Sequence, residues 1–110
     1  MEKKMVDVVY LEDDEILRRS WTSAASKKGL EIMTFKTGSE LLEKVEEFSM
    51  EKTSIYLDSN LGEGEMKGEE VALILHNMGF KKLFLASGFE RGYFEGMPSW
   101  LRLVGKRPLF

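Results

Sequence analysis

The chain of 110 residues has no cysteine, only two prolines and a single histidine. Without cysteine there can be no disulfide and no thiolate metal site, a usage that fits the cytosol. No apolar run approaches the ~20 residues of a membrane span. The opening Met1-Glu2-Lys3-Lys4-Met5 carries basic residues with no apolar core behind them, so it does not read as a signal peptide. There is no GxxxxGK phosphate loop, no internal repeat and no low-complexity segment. A net charge of −3, with 16 basic residues scattered along the chain, argues against nucleic acid as a direct partner, because phosphate backbones are bound by clustered lysine and arginine.

What is present is an ordinary globular composition, 43% hydrophobic and 32% charged. The length suits one domain, residues 1–110, able to bury roughly two-thirds of its unfolded surface without a covalent or metal staple. Val6 to Leu11 is a short, β-branched apolar run that predicts a buried strand, stopping at Glu12-Asp13-Asp14. Ile16, Leu17, Trp21, Ala24 and Ala25 fall at helical spacing between Glu15 and Lys28, and Gly29 ends that helix. Glu31 to Phe35 predicts a second strand. A second helix follows, with Ser39 and Glu40 at its cap and Leu41, Leu42, Val45 and Phe48 inward. Ser54 to Leu57 is a third strand closed by Asp58, and the glycine-rich, acidic loop 59–68 is expected to be exposed and mobile. Val71, Ile74, Leu75 and Met78 mark a third helix ended by Gly79. Leu83 to Ala86 predicts a fourth strand and Leu101 to Val104 a fifth. Gly88, Gly92, Gly96 and Pro98 make any fourth helix between them short or irregular.

Strands alternating with helices imply a parallel sheet with right-handed crossovers, and such sheets gather ligands beyond the carboxyl ends of their strands. Just past those ends stand Glu12 and Asp13, then Asp58, Ser87 and Lys106. Carboxylates ~4 Å apart repel by about 4 kcal/mol at an effective dielectric near 20, so a positive charge must sit among them. A hard, oxygen-binding divalent cation such as Mg²⁺ meets that demand. With it in place Asp58 is a nucleophile towards phosphorus. Lys106 and the cation neutralise the transferring group, Ser87 donates a hydrogen bond, and Gly88 leaves room. Taken singly, the acidic trio also suits a solvated turn, Asp58 a turn cap, Ser87 a turn and Lys106 a surface charge. Their company is what turns them into a site.

In Leu11-Glu12-Asp13-Asp14, Tyr56-Leu57-Asp58-Ser59-Asn60-Leu61, Leu85-Ala86-Ser87-Gly88 and Gly105-Lys106, the chain resembles the response-regulator receiver domains of two-component signalling, over about Val6 to Pro108. The resemblance implies a flavodoxin-like, doubly wound sheet of five parallel strands in the order 2-1-3-4-5. It implies that Glu12 and Asp13 hold Mg²⁺, with Asp58 as phosphoacceptor and further ligand. The Asn60 backbone carbonyl would complete the metal site, Ser87 would register the phosphoryl group, and Lys106 would match the family's lysine; Asp14 is left unassigned. It further implies a sensor histidine kinase or histidine phosphotransfer domain as donor, a conformational change as output, and a cytoplasmic signalling protein rather than an enzyme with turnover. His76 is read as a partly exposed residue of the third helix, not as a relay histidine, and Trp21 and Trp100 as packing residues.

The chain departs from the pattern in several places. Arg107 separates Lys106 from Pro108, leaving the bend and any cis peptide there open. Leu103 stands where the family often has Tyr or Phe, and the loop after Asp58 is longer, placing Gly68 late. No fifth helix is expected, since four residues follow Lys106. An uncovered sheet face would then be an apolar patch met by a homodimer partner or by the rest of a parent protein. Two other functions remain. One is a pseudo-receiver, a binding module of the same fold that is not phosphorylated in the cell. The other is an aspartyl phosphatase of the haloacid dehalogenase type, disfavoured because Asp58 follows the third strand and Asn60, not Asp, lies two residues on.

Overall fold

The computed structural model, which describes residues 5–87, 97–108 and 110, is built on a five-stranded parallel sheet. Its strands are β1 (Val8–Leu11), β2 (Ile32–Phe35), β3 (Ser54–Leu57), β4 (Lys82–Ala86) and β5 (Leu101–Val104), in the order β2-β1-β3-β4-β5. This is the expected flavodoxin-like order, which changes direction between β1 and β3. β1 is shorter than the apolar run beginning at Val6, because Val6 forms an isolated bridge to Phe48 and Asp7 intervenes. The register sets Leu11, Leu57, Leu85 and Leu103 side by side. The segments that follow, starting at Glu12, Asp58, Ser87 and Gly105, therefore leave the sheet along one edge.

Alternation of side chains across each strand divides the interior in two. Val9, Leu11, Ile55, Leu57, Leu83 and Leu85 face one way into a mainly aliphatic core that also holds Phe35, Phe48 and Phe80. That core is covered by α2 (Gly38–Leu42), a single 3₁₀ turn (Val45–Glu47) and α3 (Gly68–Met78), through Leu41, Val45, Val71, Ala72 and Leu75. Val8, Tyr10, Tyr56 and Ala86 face the other way and meet α1 (Glu15–Lys27) through Trp21 and Leu17. Trp21 is fully buried, in keeping with a packing role. Trp100 also packs, half-buried, with its ring stacked 4.0 Å from His76.

Helix ends follow from local chemistry. Asp14 caps α1, its Oδ1 accepting from the N–H groups of Ile16 and Leu17 at 2.9 and 3.4 Å. Gly29 and Gly79 take the left-handed conformation at the ends of α1 and α3 (φ 70° and 111°), which a side chain would strain. The cap of α2 is Thr37 rather than Ser39: Thr37 Oγ1 accepts from the Glu40 N–H at 3.2 Å, and Ser39 already lies within the helix. α2 is also shorter than the pattern 41–48 suggests, passing into the 3₁₀ turn before Phe48 reaches the core.

Two helix faces need correction. Ile16 is 78% exposed, because it lies about 100° round the helix from Leu17 and outside the Leu17–Trp21–Ala25 stripe. On α3 the buried stripe is Gly68, Val71, Ala72 and Leu75, while Ile74 and Met78 remain exposed. The loop 59–67 is not wholly exposed as expected, since Ser59 and Leu61 are buried and Leu61 joins the aliphatic core.

The expected irregular fourth helix falls on residues 88–96, outside the described residues, and 97–100 form no helix. Described residues beyond β5 contain no helix either. On the α1 face of β3–β5, where an open apolar face was expected, Phe84 and Val104 are partly buried. Tyr56 is buried against Trp21 and Phe84, the Arg102 guanidinium lies 5.8 Å from the Phe84 ring centroid, and Phe110 meets Trp21 edge-on at 5.7 Å.

In urea denaturation, Leu75→Ala is expected to cost about 2–5 kcal/mol, as loss of a fully buried side chain does. Ile16→Gln is expected to stay within about 0.5 kcal/mol, as exposed substitutions do. Equal losses at the two positions would contradict the helix phases given above.

Candidate functional site

Glu12, Asp13, Asp58, Asn60, Ser87 and Lys106, singled out from the sequence, all line one cleft of 360 Å³ at the carboxyl edge of the sheet, joined there by Asp14 and Leu17. Glu12, Asp58 and Ser87 are buried, at 1%, 4% and 5% exposure, while Asp13 and Asn60 are exposed. One carboxylate oxygen from each of Glu12, Asp13 and Asp58 lies within 4.8 Å of the others. Lys106 Nζ reaches into this group, donating to Glu12 Oε1 at 2.8 Å and lying 3.2 Å from Asp58 Oδ1. The Ser87 N–H donates to the Val104 carbonyl at 3.0 Å, tying the end of β4 to β5. Gly88 is outside the described residues.

Local contacts hold each piece. Glu12 Oε2 accepts from the Asp14 N–H at 3.2 Å, and Arg18 donates to the Glu12 carbonyl at 2.6 Å from the second turn of α1. Asp58 is placed by close packing of the α3 start: a Cβ on Gly68 would sit 2.0 Å from the Asp58 carbonyl oxygen. The Gly68 N–H donates to the Ser59 carbonyl at 3.2 Å, and Ser59 Oγ donates to Glu69 Oε1 at 2.9 Å. The late position of Gly68 is thus absorbed by an outward excursion, with Gly62 and Gly64 at positive φ, before the chain returns to Asp58.

The electrostatics follow from the crowding. Partial desolvation, reinforced by the neighbouring Glu12, raises the Asp13 carboxyl above the ordinary range despite its own backbone and Lys106. Burial pushes the Lys106 ammonium down, but its bond to Glu12 and the charges of Asp58 and Glu12 outweigh this and leave it raised. Three carboxylates against one ammonium form an all-oxygen, net-anionic donor set, which fits Mg²⁺ and not a soft thiophilic metal. Glu12, Asp13 and Asp58 are the residues that would hold it.

Sequence reasoning did not find Tyr10, Arg18 or Trp21. The Tyr10 hydroxyl donates to Glu12 Oε1 at 3.1 Å, and Trp21 Nε1–H donates to the Lys106 carbonyl at 2.9 Å. A period-2 reading of β1 does put Tyr10 on the Glu12 side of the strand. Nothing in the sequence ties Trp21 to Lys106.

No protein-family model matches the chain, and no curated protein matches its sequence. Solved structures match closely in shape. The N-terminal domain of a response regulator/sensory box/GGDEF three-domain protein from Carboxydothermus hydrogenoformans aligns over 90% of this chain and 80% of its own, at 20% identity and a TM-score of 0.70. A CheY-like response regulator receiver domain protein from Methanospirillum hungatei aligns over 79% and 67%, at 21% identity and a TM-score of 0.65. The fold is that of a response-regulator receiver domain. The response regulator LqsR of Legionella pneumophila shares it at 17% identity and a TM-score of 0.66, this chain covering 38% of that protein.

Within the receiver fold, the departures noted above take physical form. Arg107 follows Lys106 directly, and no described peptide bond is cis. The Lys106 carbonyl is instead fixed by the Trp21 indole. Leu103 is half-buried against the aliphatic core. Asp14, unassigned from the sequence, is the cap of α1.

Two outcomes test this geometry. Gly68→Ala forces a methyl against the Asp58 backbone, and overpacking of this kind costs about 1–3 kcal/mol; chemical denaturation checks it, and an unchanged midpoint would contradict the close approach. Asp13→Asn tests the raised carboxyl. A raised acid in the folded state binds its proton more tightly than in the unfolded state, so metal-free stability falls as pH rises from the ordinary carboxylate range through the raised value. Removing the charge should therefore raise the melting temperature at pH 8 and leave it nearly unchanged at pH 3; the opposite ordering would contradict it.

Proposed function

We propose that this chain is a phosphoacceptor receiver domain, taking a phosphoryl group from a phosphohistidine onto Asp58 in a Mg²⁺-dependent reaction. The observation that carries this is the Asp58 carboxylate itself. It is buried at the cleft, within 4.8 Å of Glu12 and Asp13 oxygens and 3.2 Å from the Lys106 ammonium. An acid so placed has an ammonium beside one of its oxygens and neighbouring carboxylates that would hold a balancing cation. Asp58 Oδ attacks phosphorus, the P–N bond of the phosphohistidine breaks, and the imidazole leaves with the bonding pair. Lys106 pairs with the phosphoryl oxygens as charge gathers on them, and the Ser87 hydroxyl donates to another. Mg²⁺, when bound by Glu12, Asp13, Asp58 and the Asn60 carbonyl, supplies the remaining charge neutralisation. Pulling Lys106 towards the phosphoryl group loosens its bond to Glu12, and that exchange of partners is the start of the conformational output. The donor is a sensor histidine kinase or histidine phosphotransfer domain, and the setting is the cytoplasm, where such donors present their histidines. The protein signals and does not turn over a substrate.

A pseudo-receiver reading draws on one observation: Leu103, packed into the core, offers no aromatic switch beside Lys106. Intact-mass spectrometry after incubation with acetyl phosphate decides between the two. The expected result is a single phosphoryl adduct on the wild type, lost without Mg²⁺ and lost in Asp58→Asn, with no turnover of p-nitrophenyl phosphate. Mg²⁺ binding without any adduct would overturn phosphoacceptance in favour of the binding module.

A further inference from the structure

Behind the cleft lies a set of stacked rings that phosphoryl transfer itself does not use. Tyr10 stands on β1 two residues before Glu12, and so on the same face of the strand. Its ring lies 3.9 Å from that of Trp21, the planes 16° apart, and Tyr56 meets Trp21 edge-on at 5.0 Å. Tyr10 and Trp21 are both fully buried. A buried phenol or indole is stable only if its polar tip finds a partner, and here both tips end on the site. The Tyr10 hydroxyl donates to Glu12 Oε1, and the Trp21 indole N–H donates to the Lys106 carbonyl 85 positions away. Lys106 Nζ in turn donates to the same Glu12 oxygen. Contacts therefore run in a closed ring: Glu12 to Tyr10, Tyr10 to Trp21, Trp21 to Lys106, and Lys106 back to Glu12.

We propose that Tyr10 and Trp21 are positioning residues of the acidic site, a stacked aromatic latch in which Tyr10 aims the Glu12 carboxylate for Mg²⁺ and Trp21 anchors the backbone from which Lys106 reaches Asp58. The inference rests on the phosphoacceptor reading of the cleft. Glu12 gains from it because a carboxylate held by the Asp14 N–H on one oxygen and by Tyr10 on the other has little freedom to rotate. Outer hydrogen bonds of this kind set ligand orientation and, when removed, cost metal affinity or activity. Lys106 gains because its side chain is long and flexible, so the direction it takes depends on how firmly its backbone is held. The indole supplies that hold, its N–H bonded to the Lys106 carbonyl at 2.9 Å. The rings suit this positioning role because each is wide, rigid and locked by its neighbours.

The test uses wild type, Tyr10→Phe, which removes one oxygen and keeps the stack, and Trp21→Phe, which keeps a ring and removes the N–H. Mg²⁺ affinity is measured by calorimetry, the rate of adduct formation from acetyl phosphate at saturating Mg²⁺ by intact mass, and melting temperature alongside. Tyr10→Phe is expected to weaken Mg²⁺ binding about tenfold, and Trp21→Phe to slow adduct formation about tenfold while Mg²⁺ affinity stays near that of the wild type. Wild-type Mg²⁺ affinity in Tyr10→Phe overturns its role, and a wild-type rate in Trp21→Phe overturns the anchor. Losses of both quantities in both variants, in step with melting temperature, overturn the latch in favour of simple packing. The Tyr10→Phe measurement stands by itself if Trp21→Phe does not fold. A wild type that binds Mg²⁺ yet forms no adduct overturns the phosphoacceptor reading alone, and the Mg²⁺ affinities still decide the role of Tyr10.

Discussion

Three carboxylates with oxygens within 4.8 Å of one another repel by about 3.5 kcal/mol or more per pair at an effective dielectric near 20. A fold that gathers them must also deliver the charge that opposes them, and here that charge is Lys106, bonded to Glu12 and beside Asp58. Much of the architecture serves this balance. The parallel register brings the ends of β1, β3 and β5 to one edge. Asp14 starts α1 directly after the acidic pair, and Arg18 secures the Glu12 backbone from within the helix. Gly68 lets α3 begin in contact with the Asp58 carbonyl.

The two faces of the sheet are filled by different chemistry. Against α2 and α3 the packing is mainly aliphatic, with Phe35, Phe48 and Phe80 meeting edge-on among it. Against α1 it is aromatic, a succession of rings running from Tyr10 through Trp21, Tyr56 and Phe84 to the guanidinium of Arg102. Large flat side chains cover more sheet per residue than leucine does. None of the large exposed hydrophobics among the described residues (Met5, Ile16, Met50, Leu73, Ile74 and Met78) lies on β3, β4 or β5.

The strands and the cleft were legible in the sequence for the same reason. A parallel strand buried on both faces is apolar at nearly every position, so β3 stands out with the bounds it has in the structure, while the edge strand β5, with Arg102 exposed, is marked by Leu101, Leu103 and Val104. Once the strands are placed, the residues after them are placed too, which is how Glu12, Asp13, Asp58, Ser87 and Lys106 could be named together. What was hidden depends on rotation and on distance. Ile16 and Ile74 are apolar and helical in spacing, but a helix that touches the sheet along one narrow stripe leaves them outside it. Thr37 and Ser39 are equally good caps by residue type, and only the path of the turn chooses Thr37. The bond from Trp21 to Lys106 joins residues whose proximity is fixed by the whole fold, and no local pattern encodes it.

Glu12 and Lys106 are 94 positions apart, yet they share a hydrogen bond of 2.8 Å. Contacts of such long range require most of the chain to be ordered before they form, since loop closure must be met before they contribute. β1 and β3 can pair while β5 is still unstructured, bringing Asp58 beside Glu12 with no ammonium to balance them. A sheet lacking β5 would hold those acids without Lys106, the ammonium that pairs with both in the folded chain. The site draws on the segments after β1, β3 and β5, so the finished cleft exists only when the sheet is in register from its first strand to its last.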